Sequence, residues 1–177
     1  MYPAIDSNPL TYLLEALEEG YDPTVDQSGL ADERVAMVRC WFYGDCSFWV
    51  TPTVQQETAK IPNENWRYTH DRATKNLLQD KELSTPPAVI QRRVDRLRAH
   101  HSGENDCRIV AETEFAGLKT LLSCDPGLRK NLKAVTHVQL LKPTEFWVSL
   151  AIGARAQPVL QPLPGHPLFG KAWWLID

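Results

Sequence analysis

Short apolar runs that each give way to a helix start constrain this 177-residue chain most. "MYPAID" reads as a short strand ending at Asp6, and Asn8-Pro9 then starts a helix whose Leu10, Leu13, Leu14 and Leu17 recur at i, i+3, i+4 and i+7. Gly20 closes that helix, and "YDPTVDQSG" is a polar loop. "LADERVAMVRCWFYG" reads as a second helix stopped by Gly44. "SFWV" is the next strand, after which Thr51-Pro52-Thr53 turns the chain into a short helix carrying Glu57. A strand followed by a helix, twice over, begins an α/β pattern.

The segment from Pro62 to Gly103 is more polar and mostly helical, with a break near Ser84-Thr85-Pro86-Pro87. Two helices in a hairpin or cap are expected there, since about 40 residues seldom supply an independent core. From Asp106 a helix runs with Ile109, Val110, Thr113 and Ala116 on one stripe, and Gly117 marks its end. "TLLS" then reads as a buried strand, Asp125-Pro126 opens another helix, "HVQLL" is a last strand and "KPTEFWVSLAIG" a closing helix. There is no internal repeat. The expected fold is a three-layer α/β/α sandwich around a central, mainly parallel sheet. One domain occupies residues 1–153, with 62–103 as its helical insertion. Residues 154–177 form a Pro-rich C-terminal extension whose Trp173 and Trp174 pack onto the body.

The length suits one domain with a substantial core. No apolar run approaches the roughly 20 residues needed to cross a bilayer, and the N-terminus has no basic region followed by an apolar segment. A cytoplasmic location without membrane association is the expectation. Cys40, Cys46, Cys107 and Cys124 show no paired C-x-x-C spacing and read as buried free thiols. Charge is unevenly spread: residues 60–101 hold nine basic side chains against five acidic ones, a net of +4 in a chain whose total is −3, so the rest carries −7. Such a local field attracts a polyanion over a Debye length of roughly 8 Å.

In an open parallel α/β sheet, ligands sit beyond the C-terminal ends of the strands. Asp6 ends the first strand and Asp125 follows "TLLS", while Asp106 and Glu57 lie on helices close to such ends. Four carboxylates converging on one sheet edge repel one another unless a counter-ion is present. A hard divalent cation, Mg²⁺ or Mn²⁺, takes oxygen ligands and bridges to phosphate oxygens, which points to phosphoryl-transfer chemistry.

At these residues the chain resembles the PIN-domain family of metal-dependent ribonucleases, which includes the toxins of many toxin–antitoxin pairs. "AIDSNPLTYLLEA" matches the family's opening strand-acid-helix element at Asp6, and "VTPTVQQETAKI" is similar to its second element at Glu57. "NDCRIVAETEFAG" followed by "LLSCDPGL" resembles its most specific signature, with acids at Asp106 and Asp125, and "VQLLKPTEF" its final strand and helix. The likeness spans about residues 1–150. It implies a PIN-like fold, a metal-dependent endoribonuclease with Asp6, Glu57, Asp106 and Asp125 as catalytic metal ligands, and RNA as substrate. An antitoxin protein and a homodimer are partners that the resemblance allows. The segment between Glu57 and Asp106 is longer than compact toxins need, and the tail is additional. The same acids suit a structure-specific DNA nuclease, and a PIN-like fold also serves as a non-cleaving module that binds RNA or protein.

Each residue also has a simpler reading. Asp6 and Asp106 are preferred N-cap types. Glu57, Glu112 and Glu114 read as solvated helix residues; His100-His101 suggests a ligand pair or general base, but reads as exposed surface, since neighbouring helical residues point about 100° apart. Ser123 is a candidate contact to substrate or metal through water, or a strand-end hydroxyl satisfying backbone groups. In "QRRVDRLRAHH", Arg92 and Arg96 share a helix face able to grip successive phosphates, with Arg93 beside them, or simply form a solvated face. Trp66 and Tyr68 suit stacking on unpaired bases or packing in the core.

Overall fold

The computed structural model describes residues 2–76, 78 and 83–176. Asp80, Lys81 and Glu82, part of the basic segment's charge count, lie outside them, as does Asp177 at the end of the tail. The elements in chain order are β1 (Ala4–Ile5), α1 (Ser7–Ala16), α2 (Ala31–Gly44), β2 (Trp49–Val50), α3 (Pro52–Thr58) and α4 (Glu64–Asn76). They continue as α5 (Pro87–Arg98), α6 (Glu104–Phe115), β3 (Thr120–Leu122), α7 (Pro126–Leu132), β4 (Gln139–Leu141) and α8 (Pro143–Ser149).

The four strands form one sheet in the order β2-β1-β3-β4, with every pairing parallel. They are short because each runs directly into a helix. Thr51, Asp125 and Lys142 occupy the N-cap positions of α3, α7 and α8, each followed by a proline whose fixed φ and missing N–H suit the first turn. Asp6 is both the residue after β1 and the N-cap of α1. The carboxyl edge of the sheet is therefore also where helix N-termini, with their unpaired amides, gather.

Leu10, Leu13 and Leu14 bury the inner stripe of α1, and Met37, Val38 and Phe42 that of α2, which packs on α1 and α8. Ile109, Val110 and Thr113 of α6 are buried as their spacing predicts, and Ala116 with them. α5 packs on α6 through Ile90, Val94 and Leu97, while α4 rests on α1 and α3. Helices thus flank the parallel sheet. Gly117, at φ 70°, takes the left-handed turn that leads from α6 towards β3.

The tail beyond α8 lies on the body. Trp174 is buried against Phe42 at a ring separation of 4.8 Å, Arg39 donates to the carbonyls of Trp174 and Leu175, and the Tyr43 hydroxyl accepts from Ile176 N. Among the described residues no helix is long and apolar enough to cross a membrane. Cys40, Cys46 and Cys107 are buried free thiols, and Cys124 is half-buried.

Candidate functional site

Strand register brings the first two site residues together. Ile5 pairs with Leu122, so the next residue of each strand, Asp6 and Ser123, face one another at the carboxyl edge. Asp6 N donates to Leu122 O at 2.9 Å, and Ser123 Oγ donates to Asp6 Oδ2 at 2.7 Å. Ser123 Oγ in turn accepts from Asp125 N at 3.1 Å, while Asp125 Oδ1 accepts from Leu128 N at 2.7 Å and caps α7. Asp6 also accepts from Ser7 N at 2.7 Å. β1 lies between β2 and β3, so the chain's path across the sheet reverses at the β1/β3 pair. That is the topological switch point at which open α/β sheets bind ligands.

Asp106 and Glu57 approach from α6 and α3. Burial pushes the Asp6 carboxyl above the ordinary carboxylate range; the Ser123 and Ser7 bonds oppose this, and the nearby charges of Asp106 and Glu57 add to it. Asp6 is only 4% exposed, whereas Glu57, Asp106 and Asp125 are half-buried. Asp106 sits in the first turn of α6, whose N-cap is Gly103, so it does not cap the helix as the simpler reading expects. Its Oδ2 bonds His101 Nε2 at 2.7 Å. Glu57 Oε1 accepts from Asn105 Nδ2 at 2.7 Å, tying α3 to the start of α6.

The four acids are thus neighbours with separate partners. Among the described residues, no three His, Cys, Asp or Glu side chains are grouped so as to hold a metal ion as they stand. The donor set nevertheless fits a hard cation: every candidate ligand is a carboxylate oxygen, and a buried carboxylate stands under the like charge of two others. Mg²⁺ suits such an open arrangement, because it binds through one or two carboxylates and keeps several waters.

Several expectations are corrected. Ser123 is fully buried and spends its hydroxyl on Asp6 and Asp125, so it orients acids and does not face a substrate. Arg93 turns inward: its Nε and Nη2 grip both oxygens of Glu114 at 2.6 and 2.7 Å, and Nη2 also donates to Val135 O. It has no free fork for a phosphate. Glu114 is accordingly no solvated residue. Burial raises its pKa, but Arg93 and Thr136 outweigh that and hold it below the ordinary range. Glu112 is buried too, accepting from Thr53 N at 3.1 Å and Thr53 Oγ1 at 2.8 Å, which locks α3 to α6. His101 is not surface; its side chain is 10% exposed and bonded at both ring nitrogens. His100 is exposed.

Arg92 and Arg96 are exposed on α5, the helix whose end leads to His101. Trp66 is half-buried, edge-on to His70 at 4.7 Å, while Tyr68 is exposed with Arg72 over its ring. Both line a groove between α1 and α4, and none of the four acids lines that groove or the neighbouring one along α3 and α4. Burial pushes the Cys124 thiol up to about 12, which favours its protonated form near neutral pH.

His101, Asn105 and Glu112 were missed as site or support residues. Only Glu112 carried a signal: three residues after Ile109, it falls within the buried stripe of α6.

No family model matches the chain, and no curated protein matches it. Among solved structures it is similar to VapBC2 from Rickettsia felis, bound to a DNA fragment from their promoter, at 12% identity and a TM-score of 0.48 over 80% of this chain and 98% of that one. It is also similar to FitAcB from Neisseria gonorrhoeae, at 15% identity and a TM-score of 0.49 over 81% and 98%.

Proposed function

We propose that the chain is a metal-dependent endoribonuclease that takes Mg²⁺ or Mn²⁺ at the carboxyl edge of its sheet. The observation that carries this reading is the placement of Asp6, Ser123 and Asp125 at the β1/β3 switch point, with the charges of Asp106 and Glu57 acting on Asp6. A buried carboxylate under like charge is unfavourable for folding alone and suits a cation site.

Asp6, Glu57, Asp106 and Asp125 would hold the ion, some of them through its water. When bound, the ion supplies a Lewis acid to a phosphate oxygen and lowers the pKa of an attacking water. Ser123 keeps the Asp6 carboxylate aimed at the edge, and Asn105 keeps Glu57 beside the start of α6. Arg92 and Arg96 would draw the RNA backbone along α5, each true contact contributing a log–log salt slope of roughly −0.7 on single strands. The sequence resemblance carries with it a toxin role and an antitoxin partner, and both belong to this proposal.

The test is cleavage of matched RNA and DNA oligonucleotides with and without Mn²⁺. Internal cuts in RNA that need the metal support the reading. Cuts confined to DNA would make the chain a DNA nuclease, and no cuts in either would leave a binding module.

A further inference from the structure

We propose that His101, anchored by Asn131, is a positioning residue that fixes the orientation of the Asp106 carboxylate; the inference rests on Asp106 being one of the groups that take the metal ion. The imidazole is held at both nitrogens. Nε2 meets Asp106 Oδ2 at 2.7 Å, and Nδ1 meets Asn131 Nδ2 at 3.2 Å. An amide NH₂ donates only, so Nδ1 accepts and the proton sits on Nε2, pointing at Asp106. Among the described residues Asp106 has no other hydrogen-bond partner, so Oδ2 is pinned while Oδ1 carries no hydrogen bond. A carboxylate held by one oxygen and free at the other is the arrangement in which outer-shell partners orient metal ligands.

The space around the ring supports this independently. A Cβ at Gly103 would lie 2.2 Å from Asp106 Oδ2 and 2.9 Å from His101 Nε2. Gly103 has φ −69°, which any residue adopts, so glycine here answers close approach and not backbone strain. A Cβ at Gly127 would stand 3.1 Å from Asp125 Oδ1 and 3.7 Å from His101 Cε1. Two glycines therefore clear the ring's place between Asp106 and Asp125. The three bonded residues come from the turn after α5, from α6 and from α7, so the contact also fixes how these helix ends meet.

A contact that merely fastens α6 would affect stability and leave metal affinity unchanged. Mn²⁺ binding should therefore be measured for the full chain by electron paramagnetic resonance of the free ion, in wild type, His101→Ala, His101→Gln, Asn131→Ala and Asp106→Asn. His101→Ala should weaken Mn²⁺ binding by about tenfold or more, as loss of outer-shell partners does. His101→Gln should recover most of it, because its amide N–H reaches towards the place of Nε2. Asn131 is exposed, so Asn131→Ala keeps the fold and should weaken binding in the same direction. Wild-type affinity in both His101→Ala and Asn131→Ala, with affinity lost in Asp106→Asn, would overturn the positioning role alone. Equal weakening in His101→Ala and His101→Gln would do the same. Wild-type affinity in Asp106→Asn would remove the metal reading beneath it.

Discussion

Ser123 Oγ donates to Asp6 Oδ2 at 2.7 Å across two adjacent strands, joining residues 117 positions apart in the chain. The same oxygen accepts from Asp125 N, so one buried hydroxyl serves two of the four acids. Ser123→Ala leaves the half-buried Asp125 amide without its acceptor and Asp6 Oδ2 without its donor, while Asp6 Oδ1 keeps the Ser7 N–H. Loss of stability of about 1–3 kcal/mol is expected, the usual cost of unsatisfied buried polar groups. Urea unfolding in EDTA measures it, and an unchanged midpoint would mean that the bond is incidental. Cleavage should fall as well, because Asp6 loses its orientation.

Gly103→Ala separates site geometry from folding. The added methyl meets the free end of the Asp106 side chain and the His101 ring, and Asp106 can swing aside at little cost to the fold. A melting temperature near that of the wild type with sharply reduced RNA cleavage is expected. Undiminished cleavage would show that the His101–Asp106 contact does not matter to the site.

Arg93→Ala probes the ion pair that replaces an expected phosphate contact. It strands the Glu114 carboxylate, whose side chain is 6% exposed. The loss at neutral pH should be about 2–3 kcal/mol, below the range for fully enclosed pairs, because the Arg93 side chain keeps 23% exposure. The folded pKa of Glu114 is depressed, so its stabilisation is complete above an unfolded value of about 4.3 and is lost as pH falls through the folded pKa. Wild type and variant should therefore differ most near pH 7 and draw together in acid as pH falls through the depressed folded pKa of Glu114. Stability curves that stay parallel in acid would contradict this.

Much of the site was legible because an acid at the end of an apolar run, just before a helix start, is a local pattern; Asp6 and Asp125 occupy such places. The strand–helix alternation was legible for the same reason, down to the Pro that follows Thr51, Asp125 and Lys142. What the sequence hid depends on helix packing. Arg93 reaches Glu114 across 21 positions and Thr53 reaches Glu112 across 59, and no local period reports either meeting. For His100-His101, spacing says only that the two point apart. The start of α6 decides which of them is enclosed.

Trp174 tests the tail. It packs between Phe42 and Tyr43 with 3% of its surface exposed. Trp174→Ala should destabilise by about 3–5 kcal/mol, as removal of a buried aromatic does. Truncation after Gly153 should expose the same aromatic surface and cause aggregation. A soluble truncated chain with an unaltered melting curve would show that the body needs no cover there.

The central claim, that Asp6, Glu57, Asp106 and Asp125 form a metal site, is tested most directly by melting wild type and Asp106→Asn with and without millimolar Mn²⁺. Asparagine keeps a side-chain oxygen for His101 and removes one of the charges that press on Asp6. In EDTA the variant should therefore melt at the same temperature as the wild type or higher. Mn²⁺ at a hundredfold excess over its Kd should stabilise the wild type by about 2.7 kcal/mol. In Asp106→Asn the shift should shrink together with RNA cleavage. A variant that cleaves RNA and keeps the full Mn²⁺ shift would contradict the site.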